Sequence, residues 1–213
     1  MSLQWSLLYK IKYSTIEEKN MKLQIIIGST RPGRVSERVA KWVAMESKTL
    51  SDATVEIVDL ADYPLPFLDE PISPQYNPER KPNETAQKLL DKLAEADAYA
   101  IVTPEYNRSY SGVLKNALDY VDFQFAKKPI VLVAHGSTGG AQAVSHLRGV
   151  IPGLHSITIP TAVYLQASNA IDEEGNLSEE VKANPYGPHA VLTKAMNELH
   201  WYSTTLAAGR TSA

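Results

Sequence analysis

Short apolar runs recur along the chain and are separated by segments in which apolar residues follow helical spacing. Runs of β-branched and other apolar residues, bounded by Gly, Asp or Pro, are typical of strands buried on both faces of a parallel sheet. Such runs predict five strands, at residues 23–28, 54–59, 98–103, 129–134 and 156–163. A sheet built from them should be covered on both faces.

The segments between these runs predict the covering helices. One helical face is formed by Val35, Val39, Trp42 and Val43. Further helices are predicted over 84–95, from 111, over 139–150 and, with an interruption at 185–188, from 178 onwards. Strands that alternate with helices imply an α/β fold, a three-layer α/β/α sandwich around a five-stranded parallel sheet with strand order 2-1-3-4-5.

The segment 64–82 departs from this alternation. It holds six of the 13 prolines, with Tyr63, Phe67 and Tyr76 beside or among them. Proline fixes φ and removes a backbone donor, so neither a helix nor an interior strand can persist there. We expect a long rigid loop, which either serves function or packs on its own aromatic side chains.

Composition and charge narrow the range of functions. With 213 residues, 44% of them hydrophobic and 21% charged, the chain is expected to fold as one domain. We place this domain at 21–213 and treat 1–20 as an N-terminal extension, because Met21 and Lys22 immediately precede the first predicted strand. The extension lacks the uninterrupted apolar region of a secretory signal. The formal net charge of -3 argues against nucleic acid or a membrane surface as partner.

The chain contains no cysteine, which excludes thiolate and disulfide chemistry. This fits a reducing compartment, and we expect a cytoplasmic protein. Any redox chemistry would need a bound cofactor.

The predicted strand order also predicts where a ligand binds. In such sheets the ligand lies beyond the carboxyl ends of the strands, where the strand order reverses. That rule selects three loops, at 29–36, 103–111 and 135–140.

The first of these loops has the chemistry of an anion site. Ser29, Thr30 and Ser36 supply hydroxyls, and Arg31 and Arg34 supply guanidinium groups, at the start of a helix. The loop lacks the Lys and Ser or Thr of a Walker motif and the third Gly of a dinucleotide fingerprint. A mononucleotide phosphate therefore fits best, and an ordinary polar turn is the alternative.

The second loop suits a flat polar heterocycle. It places a Pro-restricted turn, Asn107 and the aromatic rings of Tyr106 and Tyr110 at the end of the third strand. Backbone amides and Asn107 can meet the edge of such a ring, and an aromatic side chain can cover its face.

Two motifs make the chain similar to a known family. GSTRPGRVSERVAKWV at 28–43 and TPEYNRSYSGVLKNALDYV at 103–121 resemble the NADPH-dependent FMN reductase family of flavodoxin-like proteins, which includes quinone and azo-dye reductases. The resemblance runs from about Lys22 to the last helix. The resemblance implies a flavodoxin-like fold with FMN as cofactor and NADPH or NADH as co-substrate.

The resemblance also implies which residues bind the cofactor. The phosphate would be held by Ser29, Arg31 and Ser36, with Arg34 and Val35 in the same loop. The isoalloxazine ring would be bordered by Pro104, Glu105, Tyr106 and Asn107, with Ser111 further along the motif. The third loop would place Gly136, Ser137 and Gly139 near the ring. The family forms dimers or tetramers, so the Pro-rich loop and Tyr120, Phe123 and Phe125 are expected at an interface.

The implied activity is that of an NAD(P)H-dependent flavin or quinone reductase. A hydride would pass from NAD(P)H through bound FMN to a quinone, azo compound, flavin or similar small-molecule acceptor. The cofactor carries this chemistry, so no catalytic side chain is nominated, and no histidine pair at ligand spacing predicts a metal.

Two alternatives remain open. A flavodoxin-type electron carrier would bind FMN without NAD(P)H turnover. A serine hydrolase would use Ser29 with His135 or His189 as base, but the chain lacks a G-x-S-x-G elbow.

Overall fold

The computed structural model describes residues 20–48, 53–166 and 170–211. Its strands are β1 (Met21–Ile27), β2 (Ala53–Asp59), β3 (Ala98–Pro104), β4 (Pro129–Gly136), β5 (Ile157–Thr158) and β6 (Val163–Gln166). Its helices are α1 (Ser36–Ser47), α2 (Glu84–Ala94), α3 (Gly112–Tyr120), α4 (Ala141–Val150), α5 (Glu179–Ala183) and α6 (Pro188–Thr211). The predicted extension at 1–20 lies outside the described residues except for Asn20.

The strands form one parallel sheet in the order β2-β1-β3-β4-β5, with β6 also paired to β4. The predicted α/β fold and strand order are confirmed. Since all pairs are parallel, the loops that follow β1, β3 and β4 leave the sheet at the same edge. This edge is where the three predicted site loops meet.

Alternate residues of β1, β3 and β4 enter different apolar clusters, one on each face of the sheet. Leu23, Ile25 and Ile27 pack with α1 and α6, whereas Ile26 packs with α2, α3 and α4. Both sets are buried to 2% exposure or less. Burial on both faces explains why the strands are continuous apolar runs rather than alternating ones.

The predicted fifth strand, 156–163, is wrong in its extent. β5 pairs with the start of β4, and β6 pairs with its end, so two short strands replace one. The break falls at Pro160, which has no backbone N–H to donate to a ladder. The chain resumes pairing at Val163.

The Pro-rich segment 64–82, which the structure describes in full, contains no α-helix or strand, as predicted, and only a single 3-10 turn at Pro74–Tyr76. Two side chains bind it to the body of the domain. Arg80 makes an ion pair with Glu70 at 2.7 Å and donates to the Tyr120 carbonyl at 2.7 Å. Asn116 of α3 donates to the Pro66 carbonyl at 2.8 Å. The loop is therefore anchored along its length.

Within the described residues, no helix combines the length and the apolar character that crossing a membrane requires.

Candidate functional site

The first loop joins β1 to α1 and turns its hydroxyls inward. Ser29 and Ser36 are buried, with 1% and 0% of their surface exposed, whereas Thr30 and Arg31 are exposed. Gly33 adopts a φ of 68°, which favours glycine. The N-cap position of α1 is Val35, whose side chain cannot cap the helix. The first turn of α1 thus retains backbone N–H groups for an anion.

The two arginines of this loop have different surroundings. Arg34 is 13% exposed, donates to the Ser29 carbonyl at 2.6 Å, and makes a two-pronged ion pair with Asp59 at the end of β2. Arg31 has no ion pair among the described residues. Arg34 therefore holds the loop in place, and Arg31 is the guanidinium that can reach an anion.

Each buried hydroxyl of the first loop has a partner from another loop. The Oγ atom of Ser29 lies 3.1 Å from the Tyr106 hydroxyl, and that of Ser36 lies 2.8 Å from Nε2 of His135. Burial lowers the pKa of His135 to about 4, so its ring is neutral at physiological pH. These contacts join the first loop to the second and third loops.

The second loop is a tight turn at the end of β3. Tyr106 and Ser109 exchange backbone hydrogen bonds of 2.7 and 3.0 Å, and Asn107 and Arg108 between them have φ values of 48° and 65°. Positive φ at both central residues is the signature of a type I′ turn. The turn leaves the Asn107 side chain exposed beside the site.

Two predicted site residues of the second loop, Glu105 and Ser111, form hydrogen bonds that hold the loops in place. The Glu105 carboxylate accepts from the Gln142 and Ala143 amides, at 2.9 and 3.4 Å, and so caps α4. The Ser111 hydroxyl donates to the Gly28 carbonyl and accepts from the Leu114 amide, which caps α3. Pro104 is the buried last residue of β3.

The glycines of the third loop lie close to the second loop and to the end of β4. A Cβ atom on Gly136 would lie 3.3 Å from that of Glu105, and one on Gly140 would lie 2.6 Å from that of Ala134. Gly139 and Gly140 have φ values of 85° and 86°. Ser137 is exposed at the tip of this loop. The structure therefore brings all three predicted loops together.

A cavity of about 440 Å³ beside the first loop lies on the outer side of α1. Glu37, Arg38 and Lys41 line it, and they face away from the buried Ser36. Lys41 pairs with Glu37 at 3.0 Å and Arg38 pairs with Glu173 at 3.2 Å, but Arg31 also lines the cavity and has no ion pair among the described residues. The inward hydroxyls of Ser29 and Ser36, together with the Arg31 guanidinium that borders this cavity, define the candidate site.

Sequence reasoning did not find the partners that hold the site together. Asp59 belongs to no motif that marks it as the partner of Arg34, and the bond between His135 and Ser36 joins residues 99 positions apart. No local pattern signals such a contact.

The expectation for an interface was wrong for two of its three aromatic residues. Tyr120 and Phe125 are buried within the chain itself, with 1% and 0% of their surface exposed. The Phe125 ring belongs to an apolar cluster, and the Tyr120 hydroxyl donates to the Pro66 carbonyl at 3.3 Å. Phe123 is 55% exposed and stacks on His155.

Known proteins similar to this chain share one chemistry. A family model described as NADPH-dependent FMN reductase matches residues 21–170. An NAD(P)H-dependent FMN reductase of Schizosaccharomyces pombe is 35% identical over 151 residues, which cover 69% of this chain and 76% of that protein. An FMN-dependent NADPH-azoreductase of Staphylococcus aureus is 37% identical over 161 residues, covering 73% and 83%.

Among solved structures, the chain is similar to FerB, a flavoenzyme NAD(P)H:(acceptor) oxidoreductase from Paracoccus denitrificans. The TM-score is 0.68 at 21% identity, over 85% of this chain and 98% of that one. At this identity the likeness supports the fold alone.

Proposed function

The chain belongs to the NADPH-dependent FMN reductase family, and from that premise we propose how its residues serve the reaction. It is an oxidoreductase that uses NAD(P)H to reduce an acceptor, with FMN as cofactor. The function implied by the resemblance is confirmed at this level. The chemistry that FMN supplies when bound is hydride uptake from NAD(P)H and delivery of reducing equivalents to the acceptor. The chain itself binds and orients the reactants.

The first loop fits the phosphate of FMN, and this observation carries the assignment of the site. Two buried hydroxyls, on Ser29 and Ser36, flank the start of α1, which no side chain caps, and the exposed guanidinium of Arg31 belongs to the same loop. Hydroxyl, amide and guanidinium donors are the groups that a phosphate dianion accepts from. Arg34 supports this loop through its bonds to Asp59 and the Ser29 carbonyl, and Val35 places its backbone at the start of α1.

The second and third loops fit the border of the isoalloxazine ring. Pro104, Tyr106 and Asn107 lie on one side, and the backbone of Gly136, Ser137 and Gly139 lies on the other. Oε2 of Glu105 and Oγ of Ser111 are already hydrogen-bonded within the protein, so these two residues keep the loops at their spacing. A rigid border of this kind orients a ring without any side chain that transfers protons.

Flavin content and reduction test the proposal directly. The purified protein should show the visible absorbance of bound FMN, and this absorbance should bleach within one turnover after anaerobic stopped-flow mixing with NADPH. A flavodoxin-type carrier would bind FMN but would hardly bleach. Protein that neither retains nor takes up FMN would contradict the function.

The acceptor is proposed to be a small conjugated molecule such as an azo compound or a quinone. The name of the staphylococcal relative supports the azo class. Steady-state assays should give NADPH oxidation that depends on an azo dye or a benzoquinone. Oxidation that proceeds with oxygen alone and gains nothing from either acceptor would contradict this class.

A homodimer in the cytoplasm is proposed as the working form. Phe123 and Tyr76, which are 55% and 78% exposed, flank a cavity of about 330 Å³ formed by the Pro-rich loop, and exposed apolar surface of this kind favours association. The lack of cysteine fits the reducing compartment. Light scattering should give a dimer mass that Phe123→Asp lowers, whereas Tyr186→Asp, at a tyrosine that is 90% exposed outside the Pro-rich loop, should not lower it.

A further inference from the structure

His135 is a buried polar residue that the proposed reaction does not itself use. It lies near the end of β4, where its carbonyl accepts from the Glu105 amide at 2.8 Å. Its side chain points to the first loop, and Nε2 lies 2.8 Å from Oγ of Ser36, with 6% of the residue exposed. The residue thus contacts both the first and the second loop.

The direction of the hydrogen bond between His135 and Ser36 decides whether the Ser36 hydroxyl can donate to an anion. A neutral imidazole has one N–H donor and one bare nitrogen acceptor, and a serine hydroxyl has one proton to donate. If Nε2 is bare, Ser36 gives its proton to the ring and offers an anion only lone pairs. If Nε2 carries the proton, the ring donates to the Ser36 oxygen, and the hydroxyl proton stays available for an anion. Only the second arrangement lets the Ser36 hydroxyl donate to a phosphate.

We propose that His135 is a positioning residue for phosphate binding: its Nε2–H group donates to the Ser36 oxygen and directs the Ser36 hydroxyl proton toward the phosphate of FMN. The inference rests on the proposed function, because it takes Ser36 as a phosphate ligand. His135 itself need not touch the cofactor. Its effect should therefore be specific to the phosphate and absent for the ring.

The ratio of FMN affinity to riboflavin affinity isolates that effect, since riboflavin has the ring without the phosphate. Titration of flavin-free protein should give a ratio about tenfold lower for His135→Leu, with riboflavin affinity changed less than about twofold. His135→Gln should restore most of the ratio, because its amide can donate from near the Nε2 position. Equal losses for both flavins would overturn the positioning role.

A double mutant tests whether His135 acts through Ser36. In a Ser36→Ala background, His135→Leu should lower the ratio no further, because the hydroxyl that it orients is gone. A full additional loss would overturn the inference. His146→Gln is the matched control, since it removes an exposed histidine whose Nδ1 lies 3.0 Å from Oγ of Ser109. It should leave the ratio unchanged.

The protonated nitrogen can be observed in the unmodified protein. Long-range ¹H–¹⁵N spectra of the FMN-bound protein should show the His135 ring protonated at Nε2 and bare at Nδ1, with the resonances assigned by their loss in His135→Gln. The opposite tautomer would overturn the proposal, even where His135→Leu does not fold.

The outcomes separate this inference from the function on which it rests. If Ser36→Ala lowers the ratio and His135→Leu does not, His135 is only structural and the phosphate site stands. If Ser36→Ala leaves the ratio unchanged, the phosphate lies elsewhere and both assignments fall. If NADPH reduces the flavin in either case, the reductase function survives.

Discussion

Arg31 and Arg34 show how one residue type serves two purposes within four positions. Both guanidinium groups belong to the predicted anion loop. Of the two, only Arg34 forms an ion pair among the described residues, with Asp59, and its side chain is mostly buried. A charge-assisted hydrogen bond contributes about 1.5–3 kcal/mol, so the loss of either arginine should be measurable. The loss of Arg31 should change the affinity for FMN, whereas the loss of Arg34 should change the free energy of unfolding.

We predict that Arg31→Ala weakens FMN binding by about 1.5–3 kcal/mol and leaves the free energy of unfolding nearly unchanged. Arg34→Ala should instead lower the free energy of unfolding of the flavin-free protein by about 1–3 kcal/mol, because it removes the guanidinium donor from the Asp59 carboxylate and the Ser29 carbonyl. Flavin titration and urea unfolding of both variants check this. The reverse assignment of the two effects would move the phosphate to Arg34.

The sequence alone predicts the chemistry of single residues but not which residues they contact in the fold. The hydroxyl and guanidinium side chains of the first loop are recognisable as anion ligands from their types and from the helix that follows. The bond between Ser29 and Tyr106 joins residues 77 positions apart, and it exists only because β1 and β3 are neighbours in the sheet. Contacts of this kind follow from the fold and cannot be assigned before it is known.

At the level of elements, the start of α4 depends on a glycine that the sequence marks only as a helix start. Gly140 has a φ of 86°, and a Cβ atom there would lie 2.6 Å from that of Ala134. Backbone conformation and space both exclude a larger residue. Gly149, in the last turn of the same helix, has neither restriction, since a Cβ atom added there would meet no described atom within 4 Å.

We predict that Gly140→Ala destabilises the protein by more than about 1 kcal/mol, because a residue with Cβ is strained at this φ and would also collide with Ala134. Gly149→Ala should be neutral or stabilising by up to about 1 kcal/mol, since alanine favours a helix over glycine. Thermal unfolding of both variants, without flavin, measures the difference. Equal shifts would show that the third loop relaxes around the added methyl group.

Element prediction succeeds where apolar patterning and capping residues agree. Ser111 is predicted to cap a helix, and its hydroxyl accepts from the Leu114 amide at 3.2 Å. The prediction of the fifth strand fails because its apolar residues continue past Pro160, and apolar periodicity alone takes no account of a missing N–H donor. Backbone hydrogen bonding decides where such an edge strand stops.

On the scale of the whole molecule, the two apolar clusters and the site meet at the same strand ends. β4 is buried along nearly its full length, and close to its end it carries a histidine among apolar neighbours. Burial of that ring lowers its pKa from 6.5 to about 4. Between these two pKa values the ring is neutral in the folded protein and protonated in the unfolded chain.

This difference predicts how stability depends on pH. Between pH 6.5 and about 4 the unfolded chain binds a proton at His135 that the folded chain does not, so the free energy of unfolding falls as the pH is lowered. At pH 5 the loss from this residue should be about 2 kcal/mol relative to pH 7.5. The Glu56 carboxylate keeps its charge to still lower pH: partial burial opposes its ionisation, but hydrogen bonds from Lys92 and Lys22 outweigh burial and lower the pKa of that carboxyl.

Urea unfolding of the flavin-free protein at pH 7.5 and pH 5 measures this loss, and His135→Gln provides the reference, because glutamine does not titrate. A difference in starting stability cancels, because the informative quantity is the change between the two pH values. That change should be smaller in the variant by about 2 kcal/mol. If this change in the free energy of unfolding were equal in both proteins, the His135 ring would be protonated in the folded state. The hydrogen bond between His135 and Ser36 would then involve a charged imidazolium.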